Sequence, residues 1–263
     1  MLTPSYRWQR TDCAPTWCQA GASSSQRSKA AGQRSANRQP GKWRSSGGTL
    51  PSGASSAFPR FPAPGKAAKN AEHTYNLTRR LYELFLDEDR QYTMAYYRGD
   101  PEQTSLEQAQ LDKKAHLAAK MYLKPGMKVL DIGCGWGGFA LYLNRHYGCE
   151  VLGVALAEDQ IAFCRERAEA AGVADKVRFE LMDYRDVTGE FDRISSVGLL
   201  EHVGTPHYPQ FYRHTARLLK PDGVMISHCC GRAGPPGRTD AWTRKYIFPG
   251  GYIPALSELV IES

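Results

Sequence analysis

The amino-acid sequence predicts an α/β fold in which helices connect the strands of a parallel sheet. Short apolar segments of strand length alternate with longer helical segments from about residue 127 onward. A glycine-rich turn at residues 133–138 follows the first of these strands and opens a helix. Strands joined through helices imply right-handed crossovers and a ligand site at the carboxyl ends of the strands.

Two helices are predicted before the first strand. The earlier one begins near residue 71, where an apolar stripe at helical spacing is formed by Leu77, Leu81, Leu84 and Phe85. After a turn at residues 98–101, residues 104–107 (Thr-Ser-Leu-Glu) have the pattern of a capping box. This pattern predicts a second helix that runs to about Leu123.

The sheet elements follow in chain order. Apolar runs predict strands at residues 127–132, 150–156, 177–181, 191–197 and 224–228. Helices are predicted at residues 139–147, 158–171 and 207–219. Gly172 is the kind of residue that ends a helix in the left-handed conformation. Residues 220–223 (Lys-Pro-Asp-Gly) predict a turn that ends the last helix before the fifth strand.

Composition excludes several classes of protein. The chain has 263 residues, of which 41% are hydrophobic and 23% charged, and no apolar run approaches the length of about 18 residues that a membrane span needs. The N-terminus lacks the apolar core of a secretory signal. Seven cysteines, an odd number without a CxxC pair, favour a reducing cytoplasm over a disulfide framework.

Basic charge is concentrated at the N-terminus. Residues 1–70 hold eleven of the 34 Lys and Arg residues and one of the 27 acids, which leaves a net charge of −3 on the rest. Residues 1–69 are rich in Ser, Gly, Ala and Pro without apolar periodicity, so we predict a disordered tail, a transit peptide or a mis-assigned start. The remaining domain, residues 70–263, is faintly acidic and predicts no specific nucleic-acid partner.

The glycine-rich turn predicts a nucleoside cofactor. Gly133, Gly135 and Gly138 form a GxGxxG pattern, which alone is weak evidence for a dinucleotide site. Asp131 would repel a pyrophosphate here. A dinucleotide site would also have an acidic residue at the end of the second strand to bind the ribose, and this chain has Ala155 there. S-adenosylmethionine carries a sulfonium and an ammonium, so Asp131 favours it over a nicotinamide cofactor. Asp183 and Tyr184, after the third strand, are candidates to contact its adenine.

The sequence resembles the cyclopropane-fatty-acid synthase family, which includes the mycolic acid cyclopropane synthases. The resemblance covers about residues 72–259, and its matching stretches are residues 73–77, 91–97, 131–138, 197–204 and 248–251. It implies a Rossmann-like class I methyltransferase sheet, with about five of seven strands present. The stretch at 91–97 (Gln-Tyr-Thr-Met-Ala-Tyr-Tyr) and the Phe-Pro-Gly-Gly run at 248–251 are far more specific than the glycine turn.

The resemblance also implies a reaction. S-adenosylmethionine would give its methyl group to a cis double bond of an unsaturated phospholipid acyl chain, at the membrane surface and in the cytoplasm. Proton loss from the new methyl group would then close a cyclopropane ring. Aromatic faces such as Tyr96 or Tyr246 would stabilise the cation, and a bound bicarbonate, held partly by Glu201 and His228, would act as the base. No metal is implied.

The same matching assigns cofactor contacts residue by residue. Besides Asp131 they are Tyr92, Thr93, Gly133, Gly135, Ala155, Gln160, Asp183, Tyr184 and Val197. Departures from the family pattern are Met94, Ala155, Ala157 and Cys230. The alanine at 155 replaces a threonine and is expected to weaken nucleoside binding by about 0.5–1.5 kcal/mol, the contribution of one hydrogen bond.

The sequence ends at Ser263, before the hairpin that would complete such a sheet. We expect a C-terminally incomplete domain with the fifth strand at an open edge, weak cofactor binding and poor turnover. Two other functions stay open: a methyltransferase of the same fold that acts on small molecules, and a non-catalytic remnant. The oligomeric state is not predicted.

Overall fold

The computed structural model describes residues 79–262 of the chain. The predicted tail at residues 1–69 and the start of the first predicted helix lie outside these residues. Within the described part, no helix is both long enough and apolar enough to span a bilayer.

Five parallel strands form one sheet, and helices cover both of its faces. The strands are β1 (Lys128–Ile132), β2 (Glu150–Ala155), β3 (Val177–Leu181), β4 (Phe191–Val197) and β5 (Leu219–His228). The helices are α1 (Arg79–Glu83), α2 (Leu106–Ala119), α3 (Gly138–Tyr147), α4 (Glu158–Ala170), α5 (Leu200–Val203), α6 (Tyr208–Leu218) and α7 (Leu256–Glu262). The predicted α/β fold class is confirmed.

The sheet order is β3-β2-β1-β4-β5. The order reverses direction between β1 and β4, so the chain crosses from one face of the sheet to the other at this point. Parallel sheets bind ligands in the crevice that such a reversal opens at the strand carboxyl ends. The fifth strand lies at an edge of this sheet, as predicted.

Two hydrophobic clusters hold the layers together. On one face α2, α3 and α4 pack through residues such as Leu117, Phe139 and Ile161. On the other face α5 and α6 pack through Leu200 and Phe211. Alternate residues of β1 serve the two faces, as the two-residue period of a strand requires.

Most of the residues predicted to begin or end a helix do so in the structure. The Ser105 side chain caps α2 by accepting a hydrogen bond from the Gln108 amide at 3.2 Å. Gly172, with φ of +67°, follows the end of α4. The second helix ends at Ala119, four residues earlier than predicted.

Two predictions are wrong: the burial of the first apolar stripe and the start of the fifth strand. The expected apolar stripe is not buried: Leu84 is 76% exposed, while Tyr82 is 1% exposed and packs against the rings of Tyr92 and Trp136. Strand β5 begins at Leu219 and not at residue 224. Leu219 pairs with Phe191 and Val224 pairs with Arg193, so the predicted turn residues 220–223 form a bulge inside the strand.

Candidate functional site

A cavity of about 220 Å³ opens at the carboxyl ends of β1, β2 and β4. The glycine turn after β1 forms one wall, and residues 90–93 and the Pro249-Gly250 pair contribute others. All ten predicted cofactor-binding residues line it: Tyr92, Thr93, Asp131, Gly133, Gly135, Ala155, Gln160, Asp183, Tyr184 and Val197. The structure therefore brings one predicted set of residues to a single concave site.

Glycines shape the turn for different reasons. Gly133 has φ of +77°, and its amide donates to the Val154 carbonyl at 2.9 Å, which ties the turn to β2. At Gly137, a Cβ atom would lie 2.8 Å from Phe179 Cζ and 2.9 Å from Cys164 Sγ. At Gly135 no heavy atom lies within 4 Å of that position. The turn is thus packed from behind at Gly137 and open along the cavity at Gly135.

Asp131 is a buried carboxylate in the wall of this cavity, with 3% of its surface exposed. Its Oδ1 atom accepts a hydrogen bond from Ser195 Oγ at 2.7 Å. Burial raises the pKa of Asp131 to about 6, and the Ser195 hydrogen bond opposes that shift. Near neutral pH the cavity therefore contains a buried negative charge, which favours a cationic ligand.

Residues 87–93, here called the cover segment, cross the start of α3 and carry Tyr92 and Thr93 to the cavity. Asp89 in this segment forms ion pairs with Lys114 of α2 and Arg167 of α4. A Cβ atom at Gly138 would collide with the Asp89 carboxylate. The glycine at the start of α3 thus lets the cover segment lie close to the helix.

The two residues predicted to contact the adenine, Asp183 and Tyr184, each already contact another side chain of the fold. The Asp183 carboxylate pairs with Arg185 and also caps the short helical turn that Tyr184 begins. These contacts lower the pKa of Asp183 against the effect of its burial. The Tyr184 ring meets Phe211 edge-on, with centroids 5.3 Å apart. Both residues still line the cavity.

Three further cofactor candidates lie at element ends. Ala155 is the last residue of β2, Val197 is the last of β4, and Gln160 lies in the first turn of α4 with 4% of its surface exposed. Parallel strands and their following helices bring such positions to one edge of the sheet.

The predicted catalytic residues lie outside the lining of this cavity. Glu201, in α5, accepts a hydrogen bond from the Cys230 amide at 2.6 Å through Oε1, while its buried Oε2 has no partner among residues 79–262. His228 ends β5 and pairs in register with Val197. Its buried Nδ1 also has no partner in the described part of the chain. Burial, followed by the charge of Lys113, lowers the pKa of His228.

The expected aromatic faces are not brought to the cavity. Tyr96 stacks on His116 with centroids 4.5 Å apart, and Tyr246 is 57% exposed with Lys245 above its ring. Tyr92, Trp136 and Phe139 line the cavity instead. Tyr96 and Tyr246 thus lie outside the lining of this cavity and are partly exposed, and their role in stabilising a cation stays a prediction.

Sequence reasoning missed Lys113 of α2, which lines the cavity with 3% of its surface exposed. It also missed Ser195, the hydrogen-bond partner of Asp131. A signal for Lys113 was present, because Gln110 and Lys113 share a helical stripe with the buried Leu117. Polar residues on a buried stripe indicate a specific polar partner.

The chain is similar in sequence to known proteins. The sequence profile of the family described as "Mycolic acid cyclopropane synthetase" matches residues 63–263. The cyclopropane-fatty-acyl-phospholipid synthase of Escherichia coli K12 is 40% identical over 192 residues, which cover 73% of this chain and 48% of the relative. A probable fatty acid methyltransferase of Pseudomonas putida is 38% identical over 199 residues, 72% of this chain and 50% of the relative. The chain thus spans about half the length of these curated relatives.

Solved structures show the same fold. The cyclopropane synthase MmaA2 of Mycobacterium tuberculosis superposes with a TM-score of 0.69 at 28% identity, covering 74% of this chain and 73% of that one. The mycolic acid cyclopropane synthase CmaA1, solved with SAH and CTAB, gives a TM-score of 0.67 at 28% identity, with coverage of 73% and 71%. The match of the family profile to most of the chain, supported by these folds, shows that the chain belongs to the mycolic acid cyclopropane synthetase family.

Proposed function

We propose that this chain binds S-adenosylmethionine in the cavity and transfers its methyl group to a cis double bond in the acyl chain of an unsaturated phospholipid. The observation that carries the proposal is the convergence of all ten predicted cofactor residues on one cavity. The relatives named as a cyclopropane-fatty-acyl-phospholipid synthase and a fatty acid methyltransferase support the reaction class. The complex of CmaA1 with SAH supports the cofactor class.

The residues of the cavity fit S-adenosylmethionine better than a dinucleotide. When bound, this cofactor supplies a methyl group on a positively charged sulfur. The buried Asp131 carboxylate favours its cationic groups and disfavours a pyrophosphate. The open space at Gly135 leaves room for a ligand against the turn, and Ala155 offers no acid for the ribose of a nicotinamide cofactor.

The side chains around the cavity would exclude water while the methyl group moves. Trp136 and Phe139 are 2% and 6% exposed, and Tyr92 meets Phe248 with ring centroids 6.3 Å apart. An alkene has no proton to lose before it attacks a methyl group, so the first step needs no base. The aromatic wall formed by Tyr92, Trp136 and Phe139 would stabilise positive charge on the acyl chain, by roughly 1–2 kcal/mol for each favourably placed ring.

A base is needed only for the proton that leaves the new methyl group as the ring closes. Glu201 Oε2 and His228 Nδ1 are buried polar atoms without partners among residues 79–262, which supports their holding a small polar group. Bicarbonate is the base that the family resemblance implies, and its hydroxyl group would donate to Glu201 Oε2. His228, neutral near pH 7 because burial lowers its pKa, would hold it together with Glu201.

The lipid would be reached at a membrane surface on the cytoplasmic side. The helical turn Thr243–Ile247 contains Arg244 and Lys245, and it follows Trp242, which is 62% exposed. Aromatic and basic side chains together are typical of segments that lie in the interface of a bilayer with anionic lipids. This segment leads directly into Phe248 and the cavity-lining Pro249, so a lipid bound there would be close to the site.

The experiment is a methyl-transfer assay on the complete chain with isotopically labelled S-adenosylmethionine and vesicles of a monounsaturated phospholipid. Vesicles of the saturated analogue are the lipid control, and Asp131→Ala is the cofactor control. The expected result is label in the unsaturated lipid, with a mass gain of one methylene group, and none in either control.

Other outcomes separate the rival functions. Label that appears only in water-soluble metabolites of a cell extract would support a small-molecule methyltransferase and contradict the lipid proposal. Cofactor binding by calorimetry without transfer to any acceptor would support a non-catalytic protein.

A further inference from the structure

Lys113 is a cation in the wall of the cavity that has no carboxylate partner within ion-pair distance among residues 79–262. Its Nζ atom donates hydrogen bonds to Gln91 Oε1 at 2.9 Å and to Thr93 Oγ1 at 2.7 Å. Only 3% of its surface is exposed. A buried charge is costly unless something balances it, so a partly satisfied lysine at this place calls for an explanation.

The contact with Lys113 fixes the direction of the Thr93 hydroxyl. A lysine ammonium can only donate, so Thr93 Oγ1 must accept from it, and the hydroxyl proton is left free to donate elsewhere. The Thr93 carbonyl is held by Gln110 Nε2 at 2.9 Å. The Thr93 methyl group lies against Gly198, where a Cβ atom would be 2.6 Å away. Thr93 is therefore held from three sides, and no hydrogen bond within residues 79–262 uses its hydroxyl group as a donor.

Other cations of the cavity are already neutralised. Arg90 pairs with Glu83, and Arg185 pairs with Asp183. Lys113 thus differs from both in having only neutral oxygen acceptors within hydrogen-bond reach in the described part of the chain. The buried Asp131 is also in the cavity wall. Among residues 79–262, the cavity wall thus has one cation and one anion that lie outside any ion pair. A zwitterionic group, such as an amino acid, complements such a pair.

We propose that Lys113 is a positioning residue for the cofactor: it holds the Thr93 hydroxyl as a donor toward the α-carboxylate of S-adenosylmethionine and balances the charge of that carboxylate. This inference rests on the proposed cofactor and deepens it by assigning an orientation to its amino-acid end. Burial lowers the pKa of Lys113 to about 8, while Asp87 and Asp89 oppose that shift. An arriving carboxylate would stabilise the charged lysine in the same way.

The test compares two ligands by calorimetric titration: S-adenosylmethionine and decarboxylated S-adenosylmethionine, which lacks only the α-carboxylate. Lys113→Met is expected to weaken binding of the first ligand on the order of 10- to 100-fold, the range for hydrogen bonds to charged groups. Binding of the decarboxylated ligand should not weaken, because it has no carboxylate for Lys113 to balance. Lys113→Arg, which keeps the charge, should recover part of the loss.

Two matched variants keep the test interpretable. Lys120→Met removes an exposed lysine just after the end of the same helix and should affect neither ligand. Thr93→Val keeps the side-chain shape and removes the hydroxyl, so it should reproduce the selective loss even if Lys113→Met fails to fold.

Three results would overturn the inference. Unchanged affinity of the Lys113→Met and Thr93→Val variants for S-adenosylmethionine would remove Lys113 from cofactor positioning. Equal weakening of both ligands would indicate a structural role only. If the unsubstituted chain bound neither ligand, the proposed cofactor itself would be wrong, which is distinguishable from the first two results.

Discussion

Ser195 and Asp131 lie directly opposite each other on β4 and β1, and the serine hydroxyl donates to the buried carboxylate at 2.7 Å. This pairing supplies one hydrogen bond to a charge that otherwise has little solvation. Burial raises the pKa of Asp131 to about 6 although the Ser195 hydrogen bond lowers it, so the carboxylate remains ionised near neutral pH. Its ionisation is a cost to the fold that a cationic ligand would offset.

Asp131→Asn should stabilise the ligand-free fold near pH 7 and abolish cofactor binding. The folded pKa of Asp131 is raised from 3.8 to about 6, so the folded chain binds this proton more tightly than the unfolded chain. The contribution to the free energy of unfolding falls as pH rises from about 4 to 6, by roughly 1–3 kcal/mol. Urea denaturation and cofactor titration check both effects, and a variant that is less stable but still binds would contradict them.

Cofactor affinity should also depend on pH through the same carboxylate. Protonation of Asp131 below pH 6 removes the negative charge, so affinity should fall as pH falls through that value. Ser195→Ala removes the hydrogen bond that lowers this pKa, so the decline should begin at a higher pH. Titrations between about pH 5 and 8 measure the midpoint. The same midpoint in both proteins would exclude Asp131 as the titrating group.

Gly135→Ala and Gly137→Ala should separate binding from folding. Both residues have positive φ, +53° and +78°, so each alanine costs roughly 1–2 kcal/mol in backbone strain. Only Gly137→Ala also drives a methyl group into Phe179 and Cys164, which adds about 1–3 kcal/mol. Gly135→Ala should fold and bind the cofactor weakly, because its methyl group enters the cavity wall. Equal unfolding free energies for the two variants would contradict this difference.

Asp89→Asn should loosen the cover segment without unfolding the sheet. The substitution keeps the side-chain shape but removes the ion pairs with Lys114 and Arg167. Amide hydrogen exchange should accelerate in residues 87–93 and not in β1, and cofactor affinity should fall several-fold, about 1 kcal/mol. Glu88→Gln is the matched control, because the neighbouring acid is exposed. Faster exchange throughout the sheet would instead indicate global destabilisation.

Arg193→Met should lower the free energy of unfolding by about 2–4 kcal/mol. The Arg193 guanidinium is buried and donates to four backbone carbonyls, those of Met121, Tyr122, Asp192 and Asp222. Arg193→Lys should recover only part of the loss, since an ammonium cannot reproduce the planar fork. Arg178→Met, at an exposed position of β3, is the control. Urea denaturation of the three variants makes the comparison.

Much of the fold could be predicted because its signals are local. The bounds of β4 and β3 are those predicted, since an apolar strand and its flanking turn are encoded within a few residues. Ten residues of the cavity lining could be predicted from the glycine turn and from the family resemblance.

The remaining errors come from contacts between distant segments. Tyr82 is buried because Trp136 and Tyr92 meet its ring, and nothing in residues 77–85 alone reveals that. The partners of Lys113 could not be predicted, because Gln91 and Thr93 of the cover segment reach it only through the tertiary fold. Both cases depend on where a second segment lies, which periodicity cannot specify.

The bulge in β5 has a consequence for how this protein tolerates changes in chain length. Residues 220–223 have no paired residues on β4, and they lie between the pair Leu219–Phe191 and the pair Val224–Arg193. From Val224 onward each residue has its own partner on β4, so the position of His228 opposite Val197 is set independently of the loop. A change of chain length within 220–223 would disturb the contacts of Lys220 with Asp192 and of Asp222 with Arg193, but it would not shift the register from Val224 onward. The bulge is therefore a site where a short reporter peptide would leave the edge beside the cavity undisturbed.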